Sequence, residues 1–449
     1  KNNITMAHLL KQIITKNKQT NKIIGAAATA TPFTDIFANN KYFSTPIIRI
    51  KNNYYSRKYF SNNNNNANNN IFVPIEYKDT GNNEMNVLVL KDIVMNLIEE
   101  RNKDVKLPNL KLEFTPVSGG ITNKLFKCTL EQINVSNSSN NTELSWTIRV
   151  YGGEGMIDRE IENETFIAMS NAKVGKEYIG SFENGRVESW IENADALTLD
   201  EMSNKKVYSK VAVELAKLHK VVMPKKLQDH YGEPSLWSQL WSWLEQAQGS
   251  VSMIEEKWGN EVANRFHQVH ANYLGTSDCN IGNWDLKRVE NELHALNKEI
   301  PEDFSPSVFA HNDLLAGNIL LNKLTGQVHL IDFEYGGTNY RGFDIANHWN
   351  EWAGGTQVEM NGRCEYDRFP TNDDKLNFCK SYLNEKNGIL NTSDDEAMEL
   401  VYESNKFVLL NHWFWGLWAV NQVVLEGVDD FDYITYAESR AKQYWYLRK

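Results

Sequence analysis

Residues 308–352, VFAHNDLLAGNILLNKLTGQVHLIDFEYGGTNYRGFDIANHWNEW, hold the densest set of side chains able to do chemistry. His311, Asn312 and Asp313 are followed five residues after Asp313 by Asn318, and a short hairpin later I-D-F-E supplies Asp332 and Glu334. Moving a phosphoryl group from ATP to a hydroxyl asks for little covalent help. It needs a residue to orient the hydroxyl and accept its proton, and oxygen ligands for the Mg²⁺ that neutralises phosphate charge. Mg²⁺ takes few protein oxygens and keeps water and phosphate as its other ligands. An Asp, an Asn five residues on and an Asp on the next strand provide that set. Any one of them alone is better read as a turn cap. The two groups together, with strand signals on both sides, point to the chemistry.

The spacing corresponds to the H-R-D-x-x-x-x-N and D-F-G motifs of protein kinases, with Asn312 in place of Arg and Glu334 in place of Gly. Such a site needs a clamp for the nucleotide. The chain has no G-x-x-x-x-G-K-[ST] loop. Instead Ser118-Gly119-Gly120-Ile121-Thr122-Asn123-Lys124 lies between two strand candidates, where Gly119, Gly120 and Asn123 could cover phosphates; a plain hairpin would need the same glycines. Arg149, in the third strand, stands where kinases keep a phosphate-binding Lys, and its fork suits two phosphate oxygens. Glu162 on the following helix is the expected ion-pair partner, with Glu164 as competitor. Glu188-Ser189-Trp190-Ile191 is the expected segment reading adenine.

The elements that must carry these residues follow from periodicity. Leu90, Ile93, Val94, Leu97 and Ile98 mark an amphipathic helix. KLEFTPVSGGITNKLFKCTL reads as strand, turn, strand; SWTIRVYG is a third strand, DREIENETFIAMSNA a helix, and EYIGSF and GRVESWI two more strands. From about residue 207 helices dominate, with strand signals only at VFAHND, GNILLN and QVHLIDF. The expected fold is α+β and protein-kinase-like, with two lobes. Residues 1–80 form a disordered basic extension, 81–191 a small antiparallel-sheet lobe binding ATP, and 192–449 a larger helical lobe for catalysis and acceptor binding.

Composition sets the outer limits. The chain has 449 residues, 41% hydrophobic and 23% charged, ample for a core. Residues 1–70 carry eight Lys, two Arg and one acid, leaving −20 for the rest of a chain whose net charge is −11. With the Asn tract at 62–70, this head is expected to be disordered; a basic, acid-poor segment could also be a targeting signal. The acidic remainder speaks against nucleic acid as a partner. Four scattered cysteines without zinc spacing fit a reducing, cytoplasmic setting. Residues 407–425 carry no formal charge, but Asn411, Trp415, Trp418 and Gln422 share one helical face, which marks a buried helix rather than a transmembrane segment.

HNDLLAGNILL, IDFEYGGTNYRGFDIANHWNEW and HWFWGLW resemble the choline/ethanolamine kinases, over about residues 112–446. The resemblance implies ATP and Mg²⁺ as cofactors and a small amino alcohol as acceptor. It makes Asp313 the catalytic base and Asn318 and Asp332 the Mg²⁺ ligands, with Glu334 nearby. A trimethylammonium leans on aromatic faces, each worth roughly 0.5–2 kcal/mol. A primary ammonium has N–H donors that must be satisfied on burial. Glu351 serves the second; Trp415, Trp418, Tyr433 and Tyr436 serve the first, with plain core packing as the alternative use of those rings. Gly120-Ile121-Thr122-Asn123-Lys124-Leu125, Glu351-Trp352-Ala353-Gly354, and Trp418-Ala419 with Phe431-Asp432, look like the ethanolamine branch. After Glu351-Trp352 the run Ala353-Gly354-Gly355-Thr356 supplies no aromatic wall. The expectation is ethanolamine as acceptor, with choline or dual use as the alternative. Another small-molecule phosphotransferase and a non-catalytic scaffold are the remaining readings. The oligomeric state is open, a homodimer included.

Overall fold

The computed structural model describes residues 71–101, 111–117, 123–131, 144–152, 159–276, 281–301 and 303–449. The basic Asn-rich head through residue 70, and Gly119 and Gly120 of the expected phosphate loop, lie outside the described residues. The chain divides into two units, one built from the N-terminal part through Arg159 plus Lys176–Glu192, the other from Glu160–Gly175 plus Asn193–Lys449.

Among the described residues, the N-terminal unit shows a six-stranded sheet with one helix. In chain order its elements are β1 (Phe72–Val73), α1 (Asn83–Arg101), β2 (Lys111–Val117), β3 (Asn123–Glu131), β4 (Leu144–Tyr151), β5 (Tyr178–Phe182) and β6 (Gly185–Ser189). The strand order is β1-β5-β6-β4-β3-β2. All pairs are antiparallel except β1 with β5. The described residues of this unit include β1, on the N-terminal side of the boundary expected at residue 81. Phe72 and Val73 pair with Ser181 and Phe182, and Val73 and Tyr77 are buried in this unit's core. The short apolar run IFV after the Asn tract was the signal available for it.

Alternation along β4 and β6 sorts the two faces of the sheet. Trp146, Ile148, Val150 and Val187 join Leu90, Ile93, Val94 and Leu97 of α1 in one apolar core. Thr147, Arg149, Arg186 and Glu188 point the other way and are also buried, so the opposite face is polar yet shielded from water.

In the second unit, helix α2 (Arg159–Asn171) joins through its residues from Glu160 onward. It was expected to belong with the sheet. Lys226 meets both Glu160 and Glu164, and the hydroxyls of Thr165 and Tyr231 lie 2.6 Å apart, which ties the helix to this unit. There follow β7 (Ala194–Ala196), α3 (Leu199–Met202), α4 (Lys205–Leu218), α5 (Lys225–Tyr231), α6 (Leu236–Ser250), α7 (Ile254–Val269) and α8 (Lys287–Glu299). Next come β8 (Ser307–Ala310), β9 (Ile319–Asn322), β10 (Val328–Leu330), β11 (Gly337–Tyr340), α9 (Arg341–Glu351), α10 (Asn372–Asn387), α11 (Asp394–Glu426) and α12 (Tyr433–Leu447).

The five strands form two small sheets, β10-β9-β7 and β11-β8. Strands β7 and β11 are too short and too polar for alternation to reveal. Helix α11 opens on a capping box, Ser393 with Glu396, and runs through the expected Asn411/Trp415/Trp418 stripe as a helix buried on nearly every side. No helix among the described residues is long and apolar enough to cross a membrane.

Candidate active site

The three residues expected to do chemistry stand at strand ends of the C-terminal unit. Asp313 follows β8, Asn318 closes the short 3₁₀ turn Ala316–Asn318 leading into β9, and Asp332 follows β10. The β9–β10 hairpin and a bond from the Ile331 N–H to the Asn318 carbonyl, 2.9 Å, bring Asn318 and Asp332 alongside each other. The Asn318 amide nitrogen donates to the Asp313 carbonyl at 2.8 Å and to its Oδ2 at 3.0 Å, fixing the carboxyl of the expected base.

The backbone here is held in conformations that side chains other than Gly seldom adopt. Asn312 and Asp332 both sit at φ 63°. Such strain persists only where the surroundings over-determine it, and around Asn312 they do. Its Nδ2 donates to the Tyr335 carbonyl at 2.9 Å, and its Oδ1 accepts from Asn339 Nδ2 at 2.8 Å. Asn tolerates the left-handed region better than most residues, a physical reason for Asn where protein kinases carry Arg.

Asp344, on α9, holds the loop from behind. Its carboxylate accepts the backbone N–H of His311 at 2.7 Å and of Asn312 at 2.8 Å, and the His219 Nε2–H at 2.9 Å. Burial works to raise this carboxyl, but the His219 bond and the backbone donors outweigh it and hold it below the usual range. His348, also on α9, accepts the Trp352 indole N–H at Nε2, so its Nδ1–H donates to the Leu314 carbonyl at 3.0 Å. Asp344 and His348 were not among the expected site residues.

The electrostatics around Asp313 are those of an acidic site. Burial first, and then the charges of Glu351, Glu334 and Asp332, push its carboxyl well above the usual range against the lowering effect of Asn318. Such a site favours cations. Its donors are carboxylate and amide oxygens, the hard ligands Mg²⁺ takes, and Mg²⁺ needs only one or two from the protein. Among the described residues no three acids, histidines or cysteines converge as a closed metal cage. Asn318, Asp332 and Glu334 thus fit an ion whose other ligands come from phosphate and water.

The expected aromatic residues form one cluster. Trp415 and Trp418 lie 5.5 Å apart by ring centroid, Trp418 and Tyr433 5.5 Å, and Trp418 and Tyr436 6.3 Å. Two more rings join it: Phe431, read in the sequence only as a mark of the ethanolamine branch, and Tyr335, which was not singled out. Phe431 packs 4.9 Å from Tyr433, and Tyr335 packs 5.4 Å from Trp415 while its hydroxyl accepts the Trp418 indole N–H at 3.2 Å. Tyr335 joins the two halves of the site: its carbonyl accepts from Asn312, next to Asp313, and its hydroxyl accepts from Trp418; burial, then the charges of Glu334 and Asp313, raise that hydroxyl. Its place three residues after Asp332 was the available signal. Glu351 is buried and paired with Arg440 of α12.

Within the N-terminal unit, Arg149 Nε meets Glu188 Oε1 at 3.2 Å, across the strand pair β4–β6. Arg186 Nε reaches the same oxygen at 2.8 Å, and Lys176 Nζ lies 3.5 Å from Oε2. Burial alone would raise Glu188, but Arg149, Arg186 and Lys176 bring it down to about 2. The side chain of Glu188 is therefore a carboxylate that Arg149 meets within this unit, in company with Arg186 and Lys176. Asn123 Oδ1 accepts the Gly152 N–H at 3.3 Å. Glu162 is buried on α2, in the other unit.

Similar solved structures share this architecture. An ethanolamine kinase from Plasmodium vivax aligns with a TM-score of 0.58 at 23% identity, covering 82% of this chain and 92% of its own. A choline kinase from Cryptosporidium parvum aligns at 0.56 and 22%, covering 80% and 95%. The fold is that of the protein-kinase-like phosphotransferases. The choline/ethanolamine kinase family matches residues 114–445, and the chain belongs to that family. Among its relatives, a probable ethanolamine kinase of Arabidopsis thaliana is 33% identical over 73% of this chain and 77% of its own length. The human ethanolamine kinase 2 is 29% identical over 73% and 74%. A probable choline kinase 1 of Arabidopsis thaliana is 29% identical over 76% and 87%.

Proposed function

We propose that this protein is an ethanolamine kinase, transferring the γ-phosphate of ATP to the hydroxyl of ethanolamine. The observation that carries the reading is that Tyr335 is bonded at its carbonyl to Asn312, the neighbour of Asp313, and at its hydroxyl to Trp418 of the aromatic wall. A small acceptor with a cationic amine at one end and a hydroxyl at the other suits both. Asp313, oriented by Asn318, accepts the hydroxyl proton. Glu351 and the rings of Trp418, Tyr433 and Tyr436 receive the ammonium. Asn318, Asp332 and Glu334 would hold Mg²⁺, which when bound neutralises phosphate charge. Arg149 and Asn123 are the proposed phosphate contacts, and the segment from Glu188 the adenine contact.

Ethanolamine is favoured over choline because the turn Ala353-Gly354-Gly355-Thr356 adds no aromatic face. A trimethylammonium has no strong N–H donor and depends on such faces. ATP consumption by the purified protein with Mg²⁺, measured on both amino alcohols, tests the reading. The expected result is a higher kcat/KM for ethanolamine, and a loss of kcat on the order of 10²–10⁴-fold in Asp313→Asn. A higher kcat/KM for choline overturns the choice of acceptor; undiminished turnover in Asp313→Asn overturns the base.

A further inference from the structure

Arg440 lies on α12, four residues after Tyr436 and outside every motif that marked the site in the sequence. Its guanidinium is fully buried and reaches three groups at once. Nη2 meets the Glu351 carboxylate at Oε1 and donates to the Tyr436 hydroxyl at 2.7 Å. Nε donates to the same hydroxyl at 3.1 Å, and Nη1 reaches Asn411 Oδ1 at 3.5 Å. Asn411 Nδ2 donates to Asn347 Oδ1 at 2.8 Å, and that oxygen also accepts the Trp415 indole N–H at 2.7 Å. One buried cation thus links the acid whose charge bears most on Asp313 to two rings of the aromatic cluster.

The chemistry requires a planar fork. Guanidinium presents several N–H donors in fixed directions, whereas an ammonium on a flexible stem is a point charge. With Oε1 of Glu351 taken by Arg440, Oε2 makes no hydrogen bond to the described residues and is the oxygen left to accept an N–H from outside. A primary ammonium can donate that bond; a quaternary ammonium cannot.

We propose that Arg440 is a positioning residue for acceptor discrimination: it fixes the Glu351 carboxylate and pins the Tyr436 ring, so that the site rewards a primary over a quaternary ammonium. The proposal rests on the amino-alcohol reading given above. Without the fork, Glu351 loses its orientation and ethanolamine loses its N–H acceptor. Choline never used that acceptor and loses less. A merely structural ion pair would behave differently: its loss would lower the active fraction, and kcat for both acceptors together, with KM unchanged.

The test is steady-state kinetics of the full chain on ethanolamine and choline, comparing wild type with Arg440→Lys. The expected outcome is an ethanolamine KM raised about tenfold or more, a choline KM changed less than about threefold, and an unchanged KM for ATP, the tenfold step matching loss of one hydrogen bond to a charged group. Equal losses for both acceptors, or a fall in kcat alone, overturn the proposal. Where Arg440→Lys does not fold, the double variant Glu351→Gln/Arg440→Gln replaces it, since it leaves no unpaired buried charge. Its ethanolamine-to-choline ratio of kcat/KM should fall about tenfold, to that of Glu351→Gln alone, because residues acting through one another are not additive. A double variant that keeps the wild-type ratio overturns the proposal. A wild type without ethanolamine preference refutes the acceptor reading and this proposal with it; a wild type with that preference, retained in Arg440→Lys, refutes this proposal alone.

Discussion

The Asp344 carboxylate is occupied by donors from two sides, the His311 and Asn312 backbone N–H groups and the His219 ring, before any substrate arrives. Its work is mechanical: it sets the loop whose next residue is Asp313. In Asp344→Asn one oxygen survives as an acceptor, while the new NH₂ faces N–H donors and strands at least one of them, at about 1–3 kcal/mol for a buried group. A base displaced by about 1 Å costs on the order of 10²-fold. The expected outcome is a kcat lowered about a hundredfold, an ethanolamine KM within a few-fold of wild type, and a lower thermal midpoint with unchanged far-UV circular dichroism. A variant with normal kcat would show that the loop holds itself.

At the scale of elements, the turn after α9 carries the argument about acceptor choice. Gly355 has φ 115°, and a Cβ there would stand 2.7 Å from Cys364 Sγ and 3.1 Å from Tyr436 Cε2. The glycine is needed because the backbone lies against a ring of the aromatic cluster. Gly355→Ala adds backbone strain of about 1–3 kcal/mol and pushes on Tyr436. Its thermal midpoint should fall and its ethanolamine KM rise more than its KM for ATP; kinetics with an unmoved ethanolamine KM would detach this turn from the acceptor. Elements also explain what was legible in the sequence. Asp313, Asn318 and Asp332 could be found because one strand–turn–hairpin carries them all. Asp344 and Arg440 could not be found by spacing, since the partners of Asp344 lie 32 to 125 residues away and the carboxylate that Arg440 meets lies 89 away. A weaker signal was present: Asp344, Asn347, His348 and Glu351 recur at i, i+3, i+4 and i+7, a polar stripe on a helix that also carries Phe343, Ile345, Ala346 and Trp349. The two-residue strand β1 lacked the length for alternation to show, and it pairs with residues over a hundred positions away.

For the molecule as a whole, the histidines decide how stability responds to acid. His219, His270, His311, His348 and His412 are fully or nearly fully buried, all in the C-terminal unit. Burial is the leading cause that holds each below the ordinary value, with His348 at about 4. Folded-state values that are depressed give stability that is fully present above about pH 6.5, the unfolded value, and lost as pH falls towards the folded ones. Asp313 and Glu351 act the other way, because burial raises their carboxyls and the folded chain takes up protons there. Unfolding in mild acid therefore takes up protons at five imidazoles and releases them at two carboxyls, and the imidazoles, being the more numerous, set the sign. Eleven of the thirteen tryptophans lie in the same unit, so their fluorescence reports mainly on it. Urea unfolding followed by tryptophan emission should therefore show a midpoint that falls steadily from pH 7 to pH 5. A midpoint that holds or rises over that range would mean that the imidazoles reach water or a charged partner in the folded chain, and that the carboxyls at Asp313 and Glu351 govern its titration instead.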